Sequence, residues 1–372
     1  MVFWEPGQVF WAKERRLLMK SIKDYVNLEQ EFYSNVLKNK DELYGSQFNK
    51  ETLKGVSNIV IFATGSSSNA AYSALPFMSK TTGLPIYIEE PSIAANYLLN
   101  FNDDTLYLAI TQGGHSYSII NLVEKFEKNG KRIFTLTSDS SSPAYKVSDN
   151  VLSMGMPIEE MPYVSAGYSV TILDLILISM RIGNILGNLS DREENDFLAD
   201  IDGIITKIPD IIDKSNKWIE ENINTFKDAK RLVWIGYGST YGVSREGETK
   251  ITETVGISSW GKELEEYMHG PYLGLHKDDL IIFIDPNGNL ENRVDRLYEF
   301  LKLHVDNVYI INSVNKKNEK DLDLNVTCNE LLASLYMTIP VHLLSFELSQ
   351  LKGNDLEKTA YPEFDKITKS KI

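Results

Sequence analysis

Four side chains in one stretch of this sequence are of the types that move protons on carbon. Glu246, Lys250 and Glu253 recur at i, i+4 and i+7, and His269 follows further on in His269-Gly270-Pro271. At about 3.6 residues per turn the first three share one narrow stripe of a helix. Two carboxylates, an amine and an imidazole are the parts needed to shift a proton on a sugar carbon. Spacing alone favours a plainer reading, an exposed pair in the favourable Glu-before-Lys order. Between the stripe and His269 a loop containing Gly261 and a short acidic segment are expected. What decides between the two readings is what the rest of the chain builds around the stripe.

From residue 59 onward the chain alternates strands with helices. Apolar runs at 59–63, 85–89, 106–110, 132–136 and 151–154 read as strands, separated by helical stretches such as 69–78 and 119–126. A long apolar helix is expected at 169–186, a polar helical stretch at 191–230, further strands at 232–235, 280–284 and 308–311, and an apolar helix at 331–351. The segment 232–240 repeats 59–67: an apolar strand, then x-Gly-Ser-Ser/Thr, then a helix. Such alternation implies α/β architecture, here two units in tandem, each a parallel sheet flanked by helices on both faces. The organisation expected is a helical segment at 1–50, a first unit at 51–190, a helical connector at 191–230, and a second unit with its tail at 231–372. Within 1–50, Leu17, Leu18, Ile22, Tyr25 and Val26 recur at helical spacing, and Trp4, Phe10 and Trp11 read as packing or subunit-contact residues.

Two loops fall beyond the carboxyl ends of strands, where parallel α/β sheets bind ligands. One carries Gly65, Ser66 and Ser67; the other runs Thr111, Gln112, Gly113, Gly114, His115, Ser116. Small residues let the backbone approach an anion, and the helix that follows offers unpaired N–H groups. The same residues also serve as ordinary turn and N-cap residues. Neither loop has the Lys-Ser/Thr of a P-loop or the spaced glycines of a dinucleotide site, so a smaller phosphorylated ligand fits better. His115 is a candidate ligand contact, His276 reads as a surface residue, and His304 and His342 read as packed or capped.

Totals narrow the class further. Of 372 residues, 42% are hydrophobic and 24% charged, as in a soluble globular protein. Fifty-two acidic against 38 basic side chains leave a net charge of −14, which argues against nucleic acid or anionic membrane as the main partner. Lys13, Arg15 and Arg16 are too few to make the start a DNA-reading arm. Cys328 is the single cysteine, so no intrachain disulfide and no cysteine metal site are expected. With no His/Asp/Glu cluster at ligand spacing, neither a catalytic metal nor a cofactor is expected. The start lacks a secretory layout, and the apolar run 170–178, interrupted by Asp174, falls short of a membrane span. The location expected is the cytoplasm.

Together these motifs resemble the tandem sugar-isomerase (SIS) family, which includes the isomerase half of glucosamine-6-phosphate synthase and the shorter phosphosugar (fructosamine 6-phosphate) deglycases. The resemblance runs from about residue 50 to the end. Gly65-Ser66-Ser67 and Thr111–Ser116 stand where that family holds phosphate, and the segment from Glu160 to Ser165 loosely matches its Glu-x-x-x-Val-x-Ser stretch near the sugar, pointing to Ser165. The most specific match is Glu246-Gly247-x-x-Lys250-x-x-Glu253 followed, without insertion, by His269-Gly270-Pro271. The resemblance implies that Glu253 shifts a proton between C1 and C2, and that His269 opens the sugar ring from a neighbouring subunit, hence a homodimer or higher oligomer with shared sites.

Departures from the family pattern are local. Gly113 replaces a phosphate-contacting serine, and His115 stands where Glu or a small polar residue is common. The synthase's Schiff-base lysine near its C-terminus is met at Phe364 by ungapped count, and at Lys366 only with two residues inserted. Position 2 is Val2 rather than the cysteine of a glutaminase half, so glutamine is not the nitrogen donor expected. The activity implied is aldose–ketose proton transfer on a 6-phosphorylated amino sugar or fructosamine, releasing amine and aldose 6-phosphate through an enaminol. The alternatives are a non-catalytic sugar-phosphate sensor, for which residues 1–50 supply no DNA-binding helices, and an ammonia-dependent amino-sugar-phosphate synthase or isomerase.

Overall fold

Short runs of Ile, Val, Leu and Phe build two sheets. The computed structural model describes residues 20–98, 100–315 and 317–372, so the expectations on Val2, Trp4, Phe10, Trp11, Leu17 and Leu18 lie outside the described residues. In the first unit β1 (Asn58–Phe62), β2 (Ile86–Glu89), β3 (Thr105–Ile110), β4 (Phe134–Thr137) and β5 (Val151–Ser153) lie in the order β2-β1-β3-β4-β5. In the second, β6 (Arg231–Gly236), β7 (Ser258–Glu263), β8 (Leu280–Asp285), β9 (Asn307–Asn312) and β10 (Leu322–Asp323) lie in the order β10-β9-β8-β6-β7. Every pairing is parallel. Read from its other edge, the second sheet repeats the first, with β6 in the place of β1 and β7 in the place of β2.

That correspondence corrects one expectation. Residues 258–263 are not a loop but the edge strand β7, in register with β6 from Arg231↔Ser258 to Gly236↔Glu263. An edge strand has one neighbour and a solvated side, so Ser258, Lys262 and Glu263 carry none of the apolar run that marks a central strand. Gly261 is required there because a Cβ would lie 2.2 Å from the Ser244 carbonyl oxygen.

Alternation along the strands divides the core. Ile59, Ile61, Leu232, Trp234, Leu280 and Ile282 face one continuous cluster shared by both sheets. Their neighbours face outward, Val233, Ile235 and Phe283 under the Glu291–Lys302 helix, Phe62 and Tyr107 under the Tyr117–Lys128 helix. Residues of Ala166–Leu186, Asp191–Phe226 and Ile339–Leu351 fill that shared cluster. Ala166–Leu186 and Glu330–Leu351 are long and apolar enough to cross a membrane, but 78% and 83% of their most apolar windows are buried inside the fold. Each buried Leu or Ile is worth roughly 1.5–3 kcal/mol, so these core helices hold the units together. Asp174, which breaks the apolar run, is buried; burial raises its pKa to about 8, and the Tyr44 hydroxyl donates to it.

One inter-unit contact positions the chemistry. The Thr240–Lys250 helix of the second unit packs on the Ser66–Thr82 helix of the first. Gly242 permits the approach, since a Cβ there would lie 2.2 Å from Ser73 Oγ and 2.4 Å from the Asn69 carbonyl oxygen. Tyr72 and Tyr241 meet edge to face at 5.6 Å, and the Arg245 guanidinium lies 4.5 Å over the Tyr72 ring.

Candidate active site

Both glycine-serine loops sit where the strand order reverses, between β1 and β3, the place where open parallel sheets leave a crevice. After β1, Gly65 takes φ 57° and ψ −137°, a conformation that suits glycine, and the chain enters a helix at Ser66. The Ser68 and Asn69 amides are already bonded to the Thr64 and Gly65 carbonyls, so Ser66 and Ser67 stand at the open end of that helix. After β3, Thr111, Gln112, Gly113, His115 and Ser116 line the same cavity as Ser66 and Ser67, a cleft of about 660 Å³. The second unit contributes Lys250 and Glu253 to its lining.

The stripe departs from a simple helix face. The α-helix ends at Lys250 and the next turn, Ile251–Val255, is a π-helix closed by the Gly256 N–H on the Ile251 carbonyl at 3.1 Å. Single π turns recur at functional sites. Glu246 and Lys250 are fully buried, while the Glu253 side chain is 41% exposed on the cleft wall. The exposed-pair reading is therefore overturned. Lys250 Nζ lies 2.9 Å from Glu253 Oε2 and 3.5 Å from Glu246 Oε1, bridging the two carboxylates.

Glu246 is held by both units. Its Oε1 accepts from Ser66 Oγ at 3.0 Å and lies 3.4 Å from His342 Nε2; its Oε2 accepts from Asn69 Nδ2 at 2.9 Å. Burial by itself would raise its pKa, but Lys250, then His342 and Asn69, outweigh burial and bring it below the usual carboxylate value. Burial would likewise lower Lys250, yet Glu246 and Glu253 outweigh it and the amine stays protonated, its pKa raised. The pair is thus ionised inside the protein.

The remaining sequence candidates divide. Ser67 and Ser116 line the cleft; the Ser66 hydroxyl is instead spent on Glu246. Ser165 is buried off the cleft wall, its hydroxyl donating at 2.7 Å to Glu159 Oε1. The buried acid of that segment is Glu159, which also accepts from the Ser165 and Gly167 amides, while Glu160 is exposed. His115 lines the cleft, 2.5 Å from the Ile372 carbonyl through Nδ1. Lys366 lies on the exposed Phe364–Thr368 helix, and the tail meets the cleft at Ser370, Lys371 and Ile372. His269 follows the Leu264–Met268 helix with Nδ1 2.8 Å from the Glu265 carbonyl, away from the cleft of its own chain.

Sequence reasoning missed Asn69, Glu159, Tyr168, His342 and Lys371. Asn69 was legible as the next helical neighbour of Ser66; His342 carried no signal, because its partner Glu246 lies 96 residues away. Among the described residues no group of three or more His, Cys, Asp or Glu is disposed to hold a metal ion.

Known proteins share this fold. The family model for the SIS domain matches residues 52–182 and 225–351. The chain is 24% identical over 345 residues to the isomerizing glutamine–fructose-6-phosphate aminotransferase of Thermococcus kodakarensis, covering 88% of this chain and 56% of that protein. It thus spans about half the length of the curated relatives it matches. A Clostridium difficile 630 structure bearing the name phosphosugar isomerase superposes with a TM-score of 0.85 at 24% identity, over 94% of this chain and 98% of that one. The C-terminal domain of glucosamine-fructose-6-phosphate aminotransferase from Francisella tularensis superposes with a TM-score of 0.79 at 20% identity, over 90% and 97%. Structural likeness at this level of identity establishes the fold.

Proposed function

This chain belongs to the SIS-domain family, and from that premise we propose that it is an enzyme acting on a 6-phosphorylated amino sugar or fructosamine. The observation that carries the reading is the partly exposed Glu253, backed by a buried lysine, in a cleft that two anion-type loops also line. The phosphate lies against the helix ends at Ser67 and Ser116, where hydroxyls and the N–H groups still free at those ends meet it. The Tyr117 amide is not among them, since it donates to the Ser370 carbonyl of the tail at 3.1 Å. Lys250 takes one Glu253 oxygen, and the other accepts the proton from the carbon next to the carbonyl or imine. The product is an enaminol. Reprotonation at the adjacent carbon gives an imine, which water hydrolyses to free amine and an aldose 6-phosphate from a fructosamine, or a ketose 6-phosphate from a 2-amino aldose.

His269 enters from a second copy. Its Nδ1 faces the Glu265 carbonyl, which leaves Nε2 for ring opening in a neighbour's cleft, so the assembly is a homodimer or larger with shared sites. The partner is a small sugar phosphate in the cytoplasm rather than nucleic acid or membrane, in keeping with the net charge of −14.

The test is a panel of phosphorylated fructosamines and amino sugars, with unphosphorylated counterparts, read by release of amine together with aldose 6-phosphate from the former and ketose 6-phosphate from the latter. Turnover confined to phosphorylated compounds is expected. Tight binding with neither product release nor hydrogen exchange into the sugar would make the protein a sensor.

A further inference from the structure

The buried imidazole behind the cleft has a place in this chemistry. We propose that His342 is the positioning residue of the site: by holding Glu246 it keeps Lys250 on Glu253, and so fixes the base. The inference rests on the reading of Glu253 as that base.

His342 lies on the Ile339–Leu351 helix and is fully buried. The titratable groups facing it are Glu246 and Lys250 on the Thr240–Lys250 helix and Tyr168 on the Ala166–Leu186 helix, whose ring it meets edge-on at 5.7 Å and 81°. Burial keeps the imidazole neutral, its pKa below the usual value; Lys250 pushes the same way and Glu246 opposes. A neutral ring has one N–H and a carboxylate only accepts, so the proton belongs on Nε2, which lies 3.4 Å from Glu246 Oε1. Nδ1 is then a bare acceptor, and among the described residues it is buried without a partner.

Oε1 of Glu246 is consequently a junction of three donors: Ser66 Oγ, His342 Nε2 and Lys250 Nζ. The lysine is its most distant neighbour there, at 3.5 Å, and sits closer to Glu253, at 2.9 Å. Without the imidazole donor, Oε1 has to draw more on the one mobile cation it shares. The ammonium then moves toward Glu246, and Glu253 loses the bond that aims it. Ser67 and Ser116, the loop hydroxyls on the cleft, take no part in this junction, so the change falls on turnover rather than on binding.

The experiment compares His342→Leu, His342→Gln and His342→Asn, using as substrate the fructosamine 6-phosphate formed from glucose 6-phosphate and glycine. Since small misplacements of a reacting group cost up to about 100-fold, the leucine chain is expected to lose about 10-fold or more in kcat with KM within about twofold. Glutamine, whose amide reaches Glu246, should recover most of that loss; asparagine, shorter by a methylene, should not. Urea unfolding separates these effects from stability, and the Gln/Asn contrast stands if the leucine chain does not fold. A nitrogen-15 spectrum of the imidazoles, which needs no turnover, should show His342 neutral with its proton on Nε2 at pH 7. A charged ring, the other tautomer, unchanged kcat in a folded leucine chain, or a loss confined to KM overturns the proposal. Glu253→Gln assayed alongside keeps the two readings apart: if it retains turnover, the base is elsewhere, whereas an inactive Glu253→Gln beside a fully active His342→Leu removes only the role of His342.

Discussion

The two units share one topology, but they treat their loop ends in opposite ways. In the first, the loops after β1 and β3 open onto a cleft. In the second, the matching loops after β6 and β8 are closed by the protein's own groups. Asp285, buried at the end of β8, accepts from the Tyr237 hydroxyl at 2.9 Å and the Asn287 amide at 2.9 Å, with Lys317 Nζ 3.6 Å away. The Tyr237 hydroxyl accepts in turn from the Gly288 amide at 2.8 Å, and Ser239 Oγ donates to the Glu330 carbonyl at 2.7 Å. Donors of this kind are consumed here internally, whereas the first unit spends the Ser66 hydroxyl on Glu246 and the Tyr117 amide on the Ser370 carbonyl but keeps Ser67 and Ser116 on the cleft. The difference teaches a division of labour. On the proposed function, the first unit's cradle takes the anion and the second unit supplies the carboxylate, which keeps phosphate and base from being crowded together as like charges.

The sharpest way to break that division is Glu253→Gln, which keeps shape but cannot accept a proton. A fall in kcat of roughly 10² to 10⁴ is expected, with substrate binding little changed and no deuterium entering C1 or C2 from heavy water. Near-wild-type turnover would return the stripe to the status of a helix face. A second test asks whether the division extends across subunits. Mixed oligomers of Glu253→Ala and His269→Ala chains should regain part of the activity that each lacks alone; dimers that form and stay inactive would put both residues in one subunit. A third sets the cradles side by side. Ser67→Ala or Ser116→Ala should weaken substrate binding by roughly 1.5–3 kcal/mol through loss of a charge-assisted donor. Ser239→Ala should leave KM alone and lower stability by about 1 kcal/mol. A Ser239→Ala enzyme with a raised KM would mean that the second cradle also meets substrate.

How much of this was legible in the sequence follows from which forces act locally. The central strands announce themselves because both faces are buried, so Ile59–Phe62 and Leu280–Ile284 read as apolar runs. Strand β7 does not, being an edge of Ser, Gly, Lys and Glu around a single Trp260, and so it reads as a loop. The loops were legible by position, at strand ends. The burial of Glu246 and Lys250 was not, because local spacing describes only the helix, whereas Asn69, 177 residues away, and His342 remove the pair from water. The π turn leaves no mark in composition at all. Ser66 shows the limit from the other side: the right residue type in the right loop, with its hydroxyl turned to the protein.

The finest comparison uses two glycines at the same offset, three residues beyond β3 and β8. A Cβ built on Gly113 meets nothing within 4 Å, and its backbone is not left-handed, so a serine can stand there with its hydroxyl over the cleft. A Cβ on Gly288 would lie 1.7 Å from Glu330 Oε2. Glu330 would have to swing away and give up its 3.1 Å bond from the Asn289 amide. Gly288→Ser should therefore cost about 1 kcal/mol in unfolding free energy, the usual net worth of one hydrogen bond at an exposed amide, and leave KM unchanged. Gly113→Ser should leave stability within about 0.5 kcal/mol, as expected of a site with open space. It should also tighten phosphorylated substrate by about 1 kcal/mol, close to fivefold in KM, because one more hydroxyl meets the anion. Unphosphorylated sugar should gain nothing. If Gly113→Ser weakens phosphorylated substrate instead, the anion does not sit against this loop. If Gly288→Ser is as neutral as Gly113→Ser, the second cradle is not filled, and the asymmetry between the units has another cause.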